Sequence, residues 1–598
     1  MTAANFTAPA ELSGYLTADT DGIPKLGDQT NLSLTNSVRK VCKLLQTQAD
    51  RFEIFEKSIA LVHLQPQSLP SVGAEIQKPF SSSSLPPSLA SGHFAATFIP
   101  KASAAGGGLF NSTAKQFGAA PQTKTALLRE ARQDTAAGHA EALLPLLQQL
   151  AQARQPVTGA KRRVAVVGSG IAGLSAAWAL SSQAHVTLFE AGDYFGGHTH
   201  TVDVELEGRR HGVDTGFLVF NERTYPLLIQ LFKQLDVQVA ASDMSFSVQL
   251  PDQGLEWSGS NLNSVFAQRS NLLRPAFWGM LSDLQRFNAL CTGLAERGAE
   301  AALAQPIGEF LDQHRFGKAF RDWYLLPMVA CIWSCPTRQM LAFPISTLIR
   351  FCHNHGLLQV TQRPQWFTVS GGARHYVDKL IAGISEVRLN TPVLRVSRSS
   401  EDSVLVYSER GAERFDEVVM ACHSDQSLAL LDQPSLNERQ ILGAIPYHRN
   451  RAVLHTDTAL LPRRQRAWAA WNYEHGGQQS GSEQKAVCLH YLLNRLQPLP
   501  WQQQVIVSLN PVRAPADSQT LAEFDYAHPV FDSGAVAAQA RLPLIQGQSH
   551  VWYCGAWTRY GFHEDGLLSG LNVAKRLLEQ WTDADAQTPK PSGAAGAA

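Results

Sequence analysis

The sequence predicts an α/β protein whose parallel sheet is assembled from segments far apart in the chain, with an α+β region inserted between them. Three observations carry this. The run from Val164 to Ala177 passes from continuous apolar residues through Gly168, Gly170 and Gly173 into a helical pattern. A second short apolar run, Val186 to Phe189, ends in Glu190, twenty-two residues after Gly168. Far along the chain, Val551 to Trp557 is another run of strand length, followed by Gly566-Leu567-Leu568-Ser569-Gly570. Strands buried on both faces read as unbroken apolar stretches of this kind.

The first element is a dinucleotide-binding turn. Gly168 permits the tight bend, Gly170 lets the backbone approach a pyrophosphate, and Gly173 lets helix and strand pack closely. Ile171 and Ala172 open the helix, whose free N–H groups face the phosphates. Glu190 stands where an acid accepts ribose hydroxyls, which also argues against a 2′-phosphorylated ribose.

Gly196-Gly197-His198 comes one short loop after Glu190, Thr201 to Leu206 alternates as a strand, and Gly212 to Gly216 makes a further glycine turn. Here the chain resembles the flavin-containing amine oxidase and phytoene desaturase superfamily. The resemblance implies FAD as cofactor, with Gly196 and Gly197 adding a second contact to its diphosphate. His198 stands where that superfamily usually has a basic residue, which leaves phosphate neutralisation to neutral donors or a protonated imidazole. The segment from Gly555 to Gly570 resembles the superfamily's C-terminal flavin motif and implies flavin contacts at Gly555, Asp565, Gly566 and Leu567, with Gly566 to Gly570 beginning a last helix aimed at the flavin. Ala556 replaces the family's usual acid, so the ribityl contact must come from backbone or elsewhere. Thr368 to Tyr376 resembles the family's return into the cofactor domain, Val393 is implied to meet the adenine through its backbone, and Glu417 to Cys422 is the next core strand. No cysteine lies in the superfamily's usual attachment context, so the FAD is expected to be non-covalent. Val213 to Asn221, Thr224 to Pro226 and Ser242 to Phe246 are most similar to the bacterial branch described as predicted NAD/FAD-binding oxidoreductases. Its association with cyclopropane-fatty-acid synthases implies modified acyl chains as the substrate class.

The expected organisation is a discontinuous Rossmann-type FAD-binding domain (161–222, 366–430 and 546–581), an α+β substrate domain (223–365 and 431–545), and a partly disordered helical N-terminal extension (1–160). Within the extension, 36–63 and about 124–153 show helical apolar spacing, the second with Pro145 as a potential break. Residues 66–124 are rich in Ser, Pro, Ala and Gly and are expected to be disordered, as is the polar tail 582–598. Aromatic residues recur on helical segments from Phe266 to Phe351, among them Phe277, Trp278, Phe287, Phe310, Phe320, Trp323, Tyr324, Trp333 and Phe343. Most should fill a core, with a few as walls of an apolar pocket. Trp468 to Tyr473 and Val487 to Leu492 read as strands flooring that pocket.

With 51 basic and 51 acidic side chains in 598 residues, no basic patch points to nucleic acid. The N-terminus shows no secretory signal. The longest apolar run, Trp323 to Trp333, is too short to span a bilayer and contains Pro327. A cytoplasmic enzyme without a transmembrane segment is expected, a peripheral membrane contact staying open. Eight scattered cysteines suit reduced thiols, and no metal site is expected.

The expected chemistry is removal of hydride from a C–H bond of a small lipophilic substrate, of desaturase or oxidase type. Tyr560, His563 and Glu564 flank the flavin-facing turn as candidates for proton transfer, each equally suited to a capping or hydrogen-bonding role. The lysine that amine oxidases commonly place near the flavin has no match. An amine oxidase acting on a C–N substrate and a non-catalytic lipid-binding flavoprotein remain as alternatives.

Overall fold

The computed structural model describes residues 16–18, 24–26, 136–152, 162–303, 305–334, 337–359, 363–399, 403–475 and 487–587. The chain divides into two units, 1–118 and 119–598. In the first, Leu16–Ala18 pairs antiparallel with Pro24–Leu26. The expected helix 36–63, the Ser- and Pro-rich stretch 66–124 and most of the C-terminal tail lie outside the described residues.

In the second unit, α1 (Ala136–Gln152) precedes β1 (Arg163–Val167), α2 (Ile171–Leu180), β2 (His185–Phe189), β3 (Glu386–Arg388), β4 (Glu417–Met420), β5 (Val551–Tyr553) and α3 (His563–Gln587). The strands form one sheet in the order β3-β2-β1-β4-β5, every neighbouring pair parallel. Val164, Ala165 and Val166 are fully buried, as are Val418, Val419 and Met420. A sheet covered on both faces leaves no side for alternation, which is why these strands read as continuous apolar runs. This is the discontinuous Rossmann-type architecture that the sequence predicts.

The extension is not wholly separate from this core. Leu143 and Leu147 of α1 are buried in the same apolar cluster as Leu174 and Leu571. The helix runs through Pro145 because that residue is exposed, so the carbonyl it leaves without an N–H partner faces water.

A seven-stranded sheet forms the other large layer, in the order 255–258, 246–250, 471–474, 488–492, 506–509, 447–455, 520–529. Only the pairing of 246–250 with 471–474 is parallel. Helices between Pro275 and Asn354 pack on it. The apolar run around Pro327 becomes a π-helical turn, Arg321–Leu325, that runs directly into a helix, Leu326–Trp333, with the proline one residue past the Leu326 N–H that closes the turn on the Arg321 carbonyl. Among the described residues no helix is long and apolar enough to cross a membrane.

Candidate active site

The glycine turn sits between β1 and α2, and its geometry separates the roles of the three glycines. A Cβ on Gly173 would lie 1.9 Å from the Gly168 carbonyl oxygen, so this residue is required for packing. A Cβ on Gly170 would meet nothing within 4 Å, because that residue faces a cavity. Ser169, which sequence reasoning passed over, ties the neighbouring parts together. Its N–H donates to Glu190 Oε2 at 3.0 Å, its hydroxyl donates to the same oxygen, and its Oγ accepts the Gly196 N–H at 3.1 Å. Gly192 N–H donates to Glu190 Oε1 at 2.8 Å. The acid is thus held at the ends of β1 and β2 beside the turn.

The cavity has a volume of about 690 Å³, within the range of small-molecule sites. Gly168, Gly170, Ile171, Ala172, Glu190, Gly196, Gly197, His198, Val393 and Gly555 all line it. Gly173, Asp565, Gly566 and Leu567 do not. The last three follow from where α3 begins. It starts at His563, three residues before the glycine expected to open it. The first turn carries two acids, Glu564 and Asp565, and Asp565 accepts the Phe562 N–H at 3.0 Å. Gly566 and Gly570 then face α2, where added Cβ atoms would lie 2.7 Å from Ile171 Cγ2 and 2.2 Å from the Ala172 oxygen. The glycines of this motif allow two helices to cross closely. Ser569 accepts the Gly555 N–H at 2.9 Å, anchoring the end of β5 where Ala556 supplies no carboxylate.

The three proton-transfer candidates separate in the same way. Tyr560 and His563 line the cavity. Glu564 turns away and accepts the N–H groups of Leu227 and Leu228 at 2.8 and 3.0 Å, capping the helix Pro226–Gln234. Burial pushes its pKa up to about 8. His563 stacks on Phe217 at 3.9 Å, and its Nε2 is 2.6 Å from the hydroxyl of Tyr376. Burial pushes its pKa down to about 3, so the imidazole is neutral.

Among the described lining residues Glu190 is the only one with a formal charge, and there is no lysine or arginine. Histidines take their place. His198 lies 5.1 Å, centroid to centroid, from His528, and His423 also lines the cavity. His198 Nε2 is buried without a hydrogen-bond partner. Burial lowers His198 to about 4 and His528 to about 3, and lowers His423 as well. Asn510 donates to Asn450 Oδ1 at 2.7 Å, orienting that amide so that its Nδ2 donates to His528 Nδ1 at 2.9 Å and leaves the proton on Nε2. Neither His423 nor His528 was singled out in the sequence, since nothing local marks a histidine that meets its partners only after folding.

Away from the turn the walls are apolar. Of the twelve aromatic residues from Phe266 to Phe351, only Trp333 and Phe351 line the cavity, and Phe277, Phe287, Phe310, Phe320 and Phe343 are buried in the core. Trp471 and Tyr491, on neighbouring strands of the seven-stranded sheet, supply wall as expected. His490 alternates with Tyr491 and so points to the other face of that sheet. There Glu474, Cys488 and His490 bring potential ligand atoms within 4.8 Å of one another. Both His490 nitrogens are engaged, Nε2 with Glu474 at 2.9 Å and Nδ1 with Ser508 at 2.7 Å, so the three groups belong to a buried hydrogen-bond network.

An open backbone at Gly170, a held acid at Glu190 and an unpartnered imidazole at His198 fit a diphosphate-bearing nucleotide cofactor with its reactive end in the apolar chamber. The chain is 27% identical over 292 residues to carotenoid phi-ring synthase from Streptomyces griseus, across 45% of this chain and 54% of that protein. It thus spans about half the length of that curated relative. The fold is similar to that of cyclohexylamine oxidase from Brevibacterium oxydans (TM-score 0.52, 17% identity) and of a CLA-producing fatty acid isomerase from P. acnes (TM-score 0.51, 16% identity), each match covering 70% of this chain and 99% of the other. Residues 171–472 match the family described as flavin containing amine oxidoreductase, and the chain belongs to that family of flavin-dependent oxidoreductases.

Proposed function

We propose that this protein binds FAD non-covalently and removes hydride from a C–H bond of a small lipophilic substrate, with modified fatty acyl chains as the substrate class. The observation that carries the reading is the charge distribution of the cavity. Its one carboxylate, Glu190, is at the nucleotide turn, and the described walls of the chamber beyond it carry no formal charge. An ammonium substrate would enter that chamber without a carboxylate to meet it, at a substantial desolvation cost. An apolar chain pays no such penalty. The relative from Streptomyces griseus is named for a carotenoid, and carotenoids are lipophilic, which supports the same substrate class.

Bound flavin supplies the hydride acceptor. The residues supply the setting. The first N–H groups of α2 and the imidazoles of His198, His423 and His528 are suited to hold the diphosphate, and Glu190 the ribose. Phe217, Trp333, Phe351, Trp471 and Tyr491 exclude water from the chamber. His563, positioned by Tyr376, and Tyr560 are the groups that can hold or move a proton there.

The test is spectroscopic. Purified protein should carry the absorbance of oxidised flavin, released intact as FAD by denaturation, and the band should bleach anaerobically with acyl lipids. A colourless protein that takes up no added FAD overturns the reading. Bleaching by amines alone replaces it with a C–N oxidase, and no bleaching by any member of the panel leaves a lipid-binding flavoprotein.

A further inference from the structure

Ten large apolar side chains are exposed among the described residues, and four of them fall between positions 262 and 278: Leu262 (38% exposed), Leu272 (45%), Leu273 (78%) and Trp278 (42%). The other six are spread over the rest of the chain. Scattered exposed leucines need no explanation, whereas a cluster does. This one is contiguous. Trp278 lies 5.4 Å from the ring of Phe266, and its indole N–H donates to the Leu272 carbonyl at 2.9 Å. The Phe266 N–H in turn bonds to the carbonyl of Leu262 at 3.1 Å.

The patch is held rigidly. Asn261 and Ser264 form a reciprocal cap beneath Leu262, and Pro275 opens the helix Pro275–Glu296 that carries Trp278. Its charge is one-sided, since residues 257–282 contain two arginines, Arg269 and Arg274, and no acid. Both guanidinium groups bond only to neutral oxygens: Arg269 to Phe266 O and Asn263 Oδ1, Arg274 to Gly254 O. Neither has a carboxylate partner.

We propose that this face docks the protein on the surface of a bilayer carrying anionic headgroups. Leu272 and Leu273 enter the acyl boundary, Trp278 sits at the interface with its polar edge already bonded, and Arg269 and Arg274 meet headgroup phosphates while their stems lie along the apolar surface. A second copy of the chain is the poorer occupant. A two-fold contact sets the same patch against itself, which brings arginines together with no acid between them. A bilayer supplies both the apolar phase and the opposite charge.

The full-length protein should float with vesicles of phosphatidylcholine containing phosphatidylglycerol, and bind phosphatidylcholine alone more weakly. Raised salt should weaken the anionic preference. The double substitution Leu272→Ser with Leu273→Ser should reduce binding at least ~10-fold, since each leucine contributes several buried methylene equivalents. Arg269→Gln with Arg274→Gln should abolish the difference between the two vesicle types. All these positions are exposed or half-exposed, so melting temperature and flavin content should match the wild type, and that control separates lost docking from lost folding. Wild-type protein that stays with neither vesicle type overturns the proposal, as does a leucine variant that binds as well as wild type. Concentration-dependent dimers abolished by Leu273→Ser, without vesicle binding, would show a self-association face instead.

Discussion

The Nε2 of His563 lies 2.6 Å from the phenolic oxygen of Tyr376, and Tyr376 also bonds to Thr199, so a cavity-lining imidazole is anchored through two buried hydroxyls to the loop carrying the glycine pair. Tyr376→Phe should leave His563 and Thr199 short of a partner. The expected stability loss is about 1–3 kcal/mol, with flavin reduction slowed and flavin content retained. His563→Ala should lower the rate of flavin reduction about 100-fold if this imidazole moves the proton. Glu564→Ala should behave differently, losing about 1–2 kcal/mol through the uncapped helix with the reduction rate of folded protein close to wild type. Melting curves and anaerobic stopped-flow traces on the three variants separate these roles.

The two glycines of the turn should fail in different ways. Gly173→Ala places a methyl 1.9 Å from a backbone oxygen and should cost about 3 kcal/mol or more, or prevent folding. Gly170→Ala meets no protein atom and its φ of −61° suits alanine, so the apoprotein should melt like wild type. Its methyl should nonetheless block the diphosphate. Wild-type protein should gain about 2.7 kcal/mol when FAD is a hundredfold above its dissociation constant, and Gly170→Ala should gain little; an equal gain in both would remove the turn from the binding site.

Flavin binding should be coupled to a proton. In the ligand-free protein burial holds His198 neutral, with a pKa near 4, and a diphosphate placed in a cavity without lysine or arginine raises that pKa. Affinity should therefore rise as pH falls toward the raised pKa. Calorimetry in two buffers of different ionisation enthalpy should report proton uptake near pH 6.5. His198→Arg carries its charge permanently and should bind with less uptake and a flatter pH profile.

Stability of the ligand-free protein should peak near pH 6.5. Burial lowers seven histidines from the ordinary 6.5: His198, His355 and His455 to about 4, His528 and His563 to about 3, and His200 and His423 in the same direction. Between roughly 4 and 6.5 the unfolded chain binds protons there that the folded one does not, so stability falls as pH falls. Burial also raises Asp565 to about 6, Asp214 to about 7 and Glu564 to about 8. These groups keep protons in the folded state that the unfolded chain has released, so their contribution is lost as pH rises toward 8. These histidines outweigh the three acids below 6.5, and above it their term fades and the acids dominate, joined by His490, held up at about 9 beside Glu474 and Cys488. Denaturant midpoints across pH 4.5 to 8.5 check the position of the maximum.

Much of the parallel sheet and its glycine turn was legible because its signals are local. A buried strand, a turn that only glycine can make and a helix opening are written in consecutive residues from Val164 to Ala177, and the distance to Glu190 is set by one short helix between two paired strands. The C-terminal motif shows the limit of such reading. Its glycines were legible as a pattern, but whether they face a ligand or a neighbouring helix depends on α2, some four hundred residues earlier in the chain. That α3 begins at His563 depended on caps supplied by Asp565 and on Glu564 being claimed by the helix at Pro226.

By itself the sequence determined a glycine turn between a buried strand and a helix with an acid beside it, and a parallel sheet gathered from distant segments. Those properties follow from backbone sterics and from hydrophobic periodicity, which act over a few residues. Tertiary structure decided which candidates share a cavity. It set Tyr560 and His563 on the wall and Glu564 behind it, brought His198, His423 and His528 from three separated segments to one lining, and left only Trp333 and Phe351 of the aromatic residues between Phe266 and Phe351 at the cavity. The reason is physical: a side chain's neighbours across a packed interface are fixed by how whole elements bury their apolar faces against one another, and no stretch of a few residues encodes that arrangement.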